Sequence, residues 1–197
     1  MPPAETRTTT RDIARGAVRA ELARAAFGLF RSEGYENVTV NDLAAAAGVS
    51  RSTFLRYFGS KEEAVLGVFD THGEHVAAAL SARPVAEDDW TALRRALDTA
   101  LEHYRRDPDS ALAMTRLVKD TPALCASRLG KQSGWRPALA NALAERTGSA
   151  EQPTLTHAVR VAAALDCLNV ALDHWTDSDG RLDLPSLLDE AFAALTH

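Results

Sequence analysis

Hydrogen-bond donors are concentrated in the short segment SRSTFLRYF, residues 50–58. A guanidinium can donate a pair of hydrogen bonds to a guanine edge or to a phosphate. A hydroxyl can form hydrogen bonds with base edges or with the sugar-phosphate backbone. Phe54 and Phe58, four residues apart, predict a helix that turns its aromatic face to the core. The polar side chains left on the outside are Arg51, Ser52, Thr53 and Tyr57. The chemistry that this set indicates is recognition of nucleic acid.

The preceding residues predict how this segment is held. Thr39 stands where an N-cap hydroxyl is needed and Asp42 can return the bond, so a short helix should begin between them. The alanines at 44–47 allow another helix to approach closely, and Gly48 can take the left-handed conformation of a sharp turn. Ser50 then caps the second helix. Two short helices joined by a glycine turn are typical of a helix-turn-helix, although a simply solvated alanine-rich helix pair remains an alternative.

The composition is that of an ordinary water-soluble protein, with 197 residues, 46% of them hydrophobic and 25% charged. The formal net charge of -5 is unevenly distributed. Residues 1–61 hold nine Arg and Lys against six Asp and Glu, whereas residues 62–197 hold thirteen against twenty-one. A basic first third favours a polyanionic partner and the acidic remainder would repel one, unless the two parts merely differ in charge.

Signals for cofactors, membranes and export are missing from the sequence. Cys125 and Cys167 have neither CxxC nor Cys/His spacing, which argues against a zinc site and a disulfide framework. No uncharged apolar run approaches the roughly 18 to 20 residues of a membrane span, and the start MPPAETRTTTRD lacks the apolar core of a signal peptide. We therefore expect a cytoplasmic protein with no cofactor and no membrane partner.

Apolar residues recur at intervals of three and four along nearly the whole chain, which predicts an all-α fold of about nine helices. The segment 81–89, with Pro84, interrupts the pattern and has the composition of a hinge. The segment 153–175 is apolar almost all round, so it must be covered on more than one side, either centrally in the fold or by a second subunit. Longer helices are predicted over residues 11–33, 60–80, 90–104, 135–146, 153–175 and 184–195, with two shorter ones opening at Pro108 and Pro122.

A series of short motifs runs from Leu22 to Leu66. They are AlaAla at 25–26, Phe30, GlyTyr at 34–35, ThrVal at 39–40, LeuAla at 43–44, AlaGlyValSer at 47–50, Phe58 and Ser60-Lys61-Glu62-Glu63. Together they resemble the N-terminal domain of TetR-family transcriptional regulators. Leu55 departs from the pattern, because the family often has a tyrosine there that contacts phosphate. The resemblance implies phosphate contacts at Thr39 and Lys61, base readout at or beside Asn41 and Arg51 to Thr53, and a backbone or groove contact at Tyr57.

The resemblance also implies a division of labour along the chain. We expect a flexible tail over residues 1–11, a helix-turn-helix DNA-binding domain over 12–62, and a helical effector-binding and dimerisation domain over 63–197. The helices at 153–175 and 184–195 would form a homodimer by packing against their two-fold mates. The dimer would bind a near-palindromic double-stranded operator. Because most members of the family are repressors, binding of a small-molecule effector would release the dimer from the operator.

Looser motifs in the C-terminal part resemble an actinobacterial-type subgroup associated with acyl-coenzyme A-like effectors. They are Arg116–Leu124, Trp135, Leu143–Gly148 and the Leu172/Trp175 end of an apolar helix. An acyl thioester would need a long apolar tunnel with Arg116 or Arg128 at its mouth. Polar groups in apolar helices need partners, so they are pocket candidates as well as possible core or surface residues. The candidates are Phe69, Tyr104, Met114, Arg116, Arg128, Trp135, Asp166, Asn169 and His174.

Two other protein classes are alternatives. A metal-dependent helical enzyme would have to use His72, Glu74 and His75, but such a histidine pair without a third ligand is more typical of a surface helix. The sequence has no glycine-rich phosphate loop, nucleophile elbow or paired catalytic carboxylates. An effector-independent architectural DNA-binding protein would normally carry a larger cationic surface. The sequence therefore predicts a regulator that is not an enzyme and has no metal site.

Overall fold

The computed structural model describes residues 9–70, 72–148 and 152–195. In these ranges it contains twelve α-helices, a 3-10 turn over Gly67–Asp70 and no β-strand, which confirms the all-α prediction. The predicted tail of residues 1–11 falls largely outside the described residues, and the first helix begins within it. The helices are α1 (Thr10–Glu33), α2 (Val40–Ala46), α3 (Arg51–Phe58), α4 (Lys61–Leu66), α5 (His72–Ser81), α6 (Asp89–Ala96), α7 (Asp98–Arg106), α8 (Pro108–Asp120), α9 (Pro122–Ser133), α10 (Arg136–Thr147), α11 (Leu155–Asp177) and α12 (Leu184–Ala193).

The chain divides into two compact units, an N-terminal unit of residues 1–67 and a C-terminal unit of residues 68–197. This division lies five residues beyond the boundary expected at residues 62 and 63.

The core of the N-terminal unit is built from the apolar faces of its four helices. Leu22, Ala26 and Phe30 recur at helical spacing on α1 and are buried. Phe54 and Phe58 are buried on the inner face of α3, with ring centroids 5.1 Å apart. Burial of both rings orients α3, so Arg51, Ser52 and Arg56 are exposed on its opposite side.

The turn between α2 and α3 has the predicted geometry. Thr39 and Asp42 form a reciprocal capping box at the start of α2. Gly48 adopts a φ of 67°, where a Cβ atom would be strained, and this reverses the chain direction after α2. Ser50 accepts a hydrogen bond from the Thr53 amide at 3.1 Å and caps α3. Each of these devices acts within a few residues, which is why the sequence predicts them.

The core of the C-terminal unit surrounds α11, which packs against α6, α8, α10 and α12. The first-turn positions of Pro108 and Pro122 are as predicted, and α10 is followed by a left-handed Gly148. Although α11 is central, it leaves one stripe uncovered. The exposed large apolar side chains of α11 are Leu155 (81%), Val159 (58%) and Val170 (51%).

Two predicted helices are each divided in the structure. The helix expected over residues 60–80 is split into α4 and α5 by the 3-10 turn. The helix expected over 90–104 breaks at Leu97, where the Ala100 amide donates to the Leu97 carbonyl at 3.0 Å. This tighter turn keeps Leu93 and Leu101 both buried, so the apolar periodicity passes through the break unchanged.

The segment between α5 and α6 is anchored despite its hinge-like composition. The Arg146 guanidinium, on α10, donates to the carbonyls of Pro84 at 2.8 Å and Glu87 at 2.9 Å. It also pairs with Asp89 at 2.8 Å, and the Arg146 side chain is only 1% exposed. A buried charge is tolerated only where such partners replace water, so this arginine ties the segment to α10.

Candidate DNA-binding surface and effector cavity

The outer face of α3 presents an exposed hydrogen-bonding surface. Arg51 and Ser52 are exposed and Thr53 is half-buried. The hydroxyl of Ser50 lies 3.0 Å from those of both Ser52 and Thr53, so the three hydroxyls form one network. Among the described residues, Arg51 has no ion-pair or hydrogen-bond partner. Its guanidinium therefore keeps all its donors for an external acceptor.

Tyr57 lies between two arginines that the sequence did not single out. The guanidinium carbons of Arg15, on α1, and Arg56 each lie 5.9 Å from the Tyr57 ring centroid. Arg56 is recognisable in the sequence as an exposed neighbour on the same helix, whereas only the packing of α1 brings Arg15 here. Together they extend the cationic surface beyond the tip of α3.

The two predicted phosphate-binding residues have their polar groups partly engaged. The Lys61 ammonium donates to the carbonyls of Tyr35 at 3.1 Å and Val38 at 3.4 Å, which leaves one of its three donors. The Thr39 hydroxyl donates to the Asp42 carboxylate at 2.6 Å, and this bond helps to hold the pKa of Asp42 below its usual value. Lys61 and Thr39 therefore shape the start of α2 as well as facing solvent.

Two further positions, Asn41 and Leu55, bear on the predicted DNA contacts. Asn41 is exposed near the start of α2, with its amide at the surface. Leu55 is half-buried on α3 and offers no hydrogen-bond donor, so the family's tyrosine contact has no substitute at this position.

The C-terminal unit contains a partly open cavity of about 490 Å³, within the usual range for small-molecule pockets. Helices α7, α8, α9 and α11 contribute most of its wall, and a recess of about 20 Å³ shares six of its lining residues. The apolar lining of the main cavity comprises Phe69, Ala111, Met114, Val118, Leu129 and Leu172. Such a cavity can hold an apolar molecule while a few polar groups fix its orientation.

The predicted pocket residues fall into two groups. Phe69, Tyr104, Met114, Arg128 and Asn169 line the main cavity, and Trp135 lines the recess. The other three line neither the main cavity nor the recess. Asp166 and His174 are exposed on the outer face of α11, and Arg116 pairs with Asp179 at the surface. Because α11 is apolar nearly all round, its sequence periodicity does not reveal which side faces the cavity.

Two histidines of the cavity wall, His72 and His103, were not predicted as pocket residues. Their ring centroids are 5.4 Å apart. Burial lowers the pKa of both, and that of His103 falls to about 4, so both imidazoles are neutral near pH 7. The Nδ1 atom of His103 is buried without a hydrogen-bond partner in the described structure. In the sequence, His103 could have been identified only as a polar residue beside Tyr104 on the apolar face of its helix.

His72 does not belong to a metal site with its sequence neighbours. Its ring faces Phe69 and His103, whereas Glu74 and His75 are exposed. In the ranges that the structure describes, no group of three His, Cys, Asp or Glu side chains is arranged to hold a metal ion.

The lowered pKa of His103 predicts a loss of stability in acid. Between pH 6.5 and about 4, the unfolded chain binds a proton that the folded chain does not, so this contribution is complete above pH 6.5 and lost below it. At pH 5 the loss from His103 is about 2 kcal/mol. We expect the urea-unfolding free energy to fall less between pH 7.5 and 5.0 in His103→Asn than in the wild type. The exposed His174→Asn should keep the full loss, and equal acid sensitivity in both variants would contradict the assignment.

Gly73 allows α5 to approach Trp135 in the recess wall. A Cβ at position 73 would lie 2.4 Å from Trp135 Cδ1, so the buried indole would have to move. Overpacking of this kind costs about 1 to 3 kcal/mol, against about 1 kcal/mol gained by replacing a helical glycine. We expect Gly73→Ala to destabilise the fold by about 1 kcal/mol in urea titrations. Gly130→Ala, with nothing within 4 Å, should stabilise it instead; a shift of both variants in the same direction would contradict this.

Comparison with known proteins agrees with this architecture. Residues 22–67 match the family described as bacterial regulatory proteins, tetR family, and residues 87–197 match the MftR C-terminal domain. The chain belongs to the TetR family of bacterial transcriptional regulators. The family assignment confirms the regulator prediction, and the alternative of a metal-dependent enzyme is wrong. The chain is a TetR-family regulator with a ligand-binding C-terminal domain.

Individual relatives cover the chain to different extents. A regulator of Mycobacterium tuberculosis named MftR, for mycofactocin biosynthesis, is 31% identical over 87% of this chain and 85% of its own length. The transcriptional regulator TcmR of Streptomyces glaucescens is 38% identical over 66% of this chain, and the match spans only 60% of TcmR. The crystal structure of Thermus thermophilus FadR, a TetR-family transcriptional repressor in complex with lauroyl-CoA, has a TM-score of 0.56 at 23% identity, and the match covers 90% of this chain and 92% of that chain. At that identity, the structural match shows the fold alone.

The family also clarifies the role of α11. By length and apolar composition alone, α11 is long enough to cross a membrane, a test that core helices of soluble proteins also pass. TetR-family regulators are soluble DNA-binding proteins, and α11 packs against four neighbouring helices here.

Proposed function

We propose that the protein is a cytoplasmic homodimeric repressor that binds a near-palindromic operator and is released by a small apolar or acyl-CoA-like effector. The observation that carries the proposal is that one chain combines exposed donors on α3 with a mainly apolar 490 Å³ cavity in its other unit. The first can recognise DNA and the second can bind a regulatory molecule.

In this proposal the exposed α3 residues provide sequence recognition. Arg51, Ser52 and Thr53 read or flank bases in the major groove, joined by Asn41 from α2. Tyr57, with Arg15 and Arg56 beside it, lies along the DNA backbone. Lys61 and Thr39 contact phosphates through the capacity left by their internal bonds, so these two contacts are weaker than a fully free side chain would make.

The uncovered stripe on α11 supports the proposed dimer. Leu155, Val159 and Val170 are exposed and lie on one face at helical spacing. The alternative in which this helix is covered entirely within one subunit leaves these side chains in water. Packing of α11 and α12 (the predicted 153–175 and 184–195 helices) against their two-fold mates in a four-helix bundle would cover the stripe.

Regulation then depends on the distance between two recognition helices. Successive major grooves lie about 34 to 36 Å apart, so only dimers with that separation bind both half-sites. An effector that prefers another separation lowers operator affinity by its differential affinity, about 1 to 3 kcal/mol of coupling. Lauroyl-CoA in Thermus thermophilus FadR makes an acyl-CoA a reasonable effector class to test here.

The proposal can be tested by selecting bound genomic fragments with the purified protein at physiological salt. We expect a near-palindrome whose half-sites are one helical turn apart, or a multiple of it. A molecule that binds the protein in a direct titration should then lower operator affinity at least fivefold, the lower end of typical coupling. Featureless enrichment, or an operator affinity insensitive to a bound molecule, would overturn the proposal.

A further inference from the structure

Arg128 is a cation without an acidic partner in the cavity wall. It lines both the main cavity and the recess. Its guanidinium donates to the Asn169 side-chain oxygen at 2.7 Å, which is a neutral partner. Among the described residues, no carboxylate lies within 4.0 Å of it. A guanidinium has five donors, so most of its hydrogen-bonding capacity remains for a molecule in the cavity.

The groups around Arg128 add donors rather than a negative charge. Tyr104 is buried, and burial raises its pKa to about 12 against the opposing effects of Thr115 and Arg128, so its hydroxyl keeps its proton. The Asn169 amide nitrogen has no hydrogen-bond partner in the described structure and is a further donor. His103, also at this end, is neutral near pH 7. This end of the cavity is therefore complementary to a single anionic acceptor.

The outer part of the cavity lining has no such preference. Lys119 pairs with Asp177, and Arg106 lies 3.9 Å from Glu102. Asp107 and Asp173 also line the cavity, so four carboxylates accompany these two cations. A coenzyme A moiety carries several phosphate charges, and a lining of paired, mixed charges gives it no concentrated positive field.

We propose that the effector is an amphiphilic monocarboxylate whose carboxylate pairs with Arg128 and whose apolar tail fills the cavity beside Met114 and Leu172, rather than a coenzyme A thioester. The inference rests on the proposed function, because it narrows the effector class of the same cavity. The cavity volume of about 490 Å³ lies within the range of small-molecule pockets, which suits a medium-chain fatty acid or a small aryl-alkyl acid.

The test measures direct binding to the DNA-free protein by isothermal titration calorimetry. The probes are decanoate and naphthaleneacetate, each with its neutral alcohol, decanol or naphthylethanol, and decanoyl-CoA. An ionic hydrogen bond to Arg128 should make at least one acid bind about 10- to 100-fold tighter than its alcohol. Arg128→Gln should remove that difference, because it weakens acid binding much more than alcohol binding. Arg128→Lys should retain part of it, and Arg116→Gln, outside the cavity, should retain all of it.

Three outcomes overturn the inference. The first is that neither acid binds tighter than its alcohol, which includes the case in which neither binds. The second is an equal loss of acid and alcohol binding in Arg128→Gln. The third is that decanoyl-CoA binds tightest of all the probes. The acid-to-alcohol comparison in the wild type stands even if Arg128→Gln fails to fold. If the carboxylate proposal fails, the protein can still select an operator and be released by another molecule. If the proposed function fails, the operator experiments show it, and carboxylate binding can still be measured.

Discussion

Arg51→Ala should lower operator affinity by at least about 30-fold while leaving the fold intact. One bidentate arginine contact to a guanine contributes about 1 to 3 kcal/mol of discrimination, and the proposed dimer presents Arg51 twice, so the expected loss is about 2 to 6 kcal/mol. The side chain is exposed and has no described partner within the protein, so its removal should not affect folding. Fluorescence anisotropy with the selected operator and a scrambled duplex at one salt concentration measures the effect.

The control for Arg51 is Arg24→Ala in the same unit. Arg24 is an exposed cation on α1 that pairs with Glu21, so its removal changes the unit's charge equally without touching α3. We expect Arg24→Ala to weaken binding only slightly and equally on both duplexes. Arg51→Ala should lose much more affinity for the operator than for the scrambled duplex. An equal loss on both would show that Arg51 contributes charge rather than base recognition.

Asp89→Ala should destabilise the C-terminal unit by about 3 to 5 kcal/mol, because it leaves the buried Arg146 charge without its carboxylate. The Asp89 side chain is 12% exposed and the Arg146 side chain is 1% exposed. Arg146 Nη2 lies 2.8 Å from Asp89 Oδ1. The carbonyls of Pro84 and Glu87 remain as acceptors but do not neutralise the charge. Denaturant unfolding followed by circular dichroism gives the free energy.

Arg160 provides a control because it pairs with the other oxygen of the same carboxylate. Its side chain is 45% exposed, so Arg160→Gln should cost less than about 1 kcal/mol. Removing both buried partners together, in Asp89→Ala with Arg146→Met, should cost less than the sum of the single changes, because neither charge is then left alone. A loss in Asp89→Ala no larger than in Arg160→Gln would mean that Arg146 is adequately solvated by the carbonyls.

Arg146 holds the segment between α5 and α6. The composition of that segment, with Pro84, indicates a hinge, but no local pattern reveals that an arginine about sixty residues later closes it. Similarly, the break at Leu97 leaves the apolar spacing intact and is invisible to periodicity. The first feature depends on a side chain packed from a distant part of the chain.

The sequence by itself determined the features that act within one or two helical turns. The Thr39–Asp42 capping box, the left-handed Gly48 and the buried Phe54 and Phe58 pair predicted the helix-turn-helix because each requires particular residue types at short spacing. Only the tertiary structure decided which polar residues meet. It brought Arg15 to Tyr57 and placed Arg128 in the cavity wall and Arg116 at the surface. The physical reason is that helical periodicity specifies a face, whereas the neighbour of that face depends on how whole helices pack.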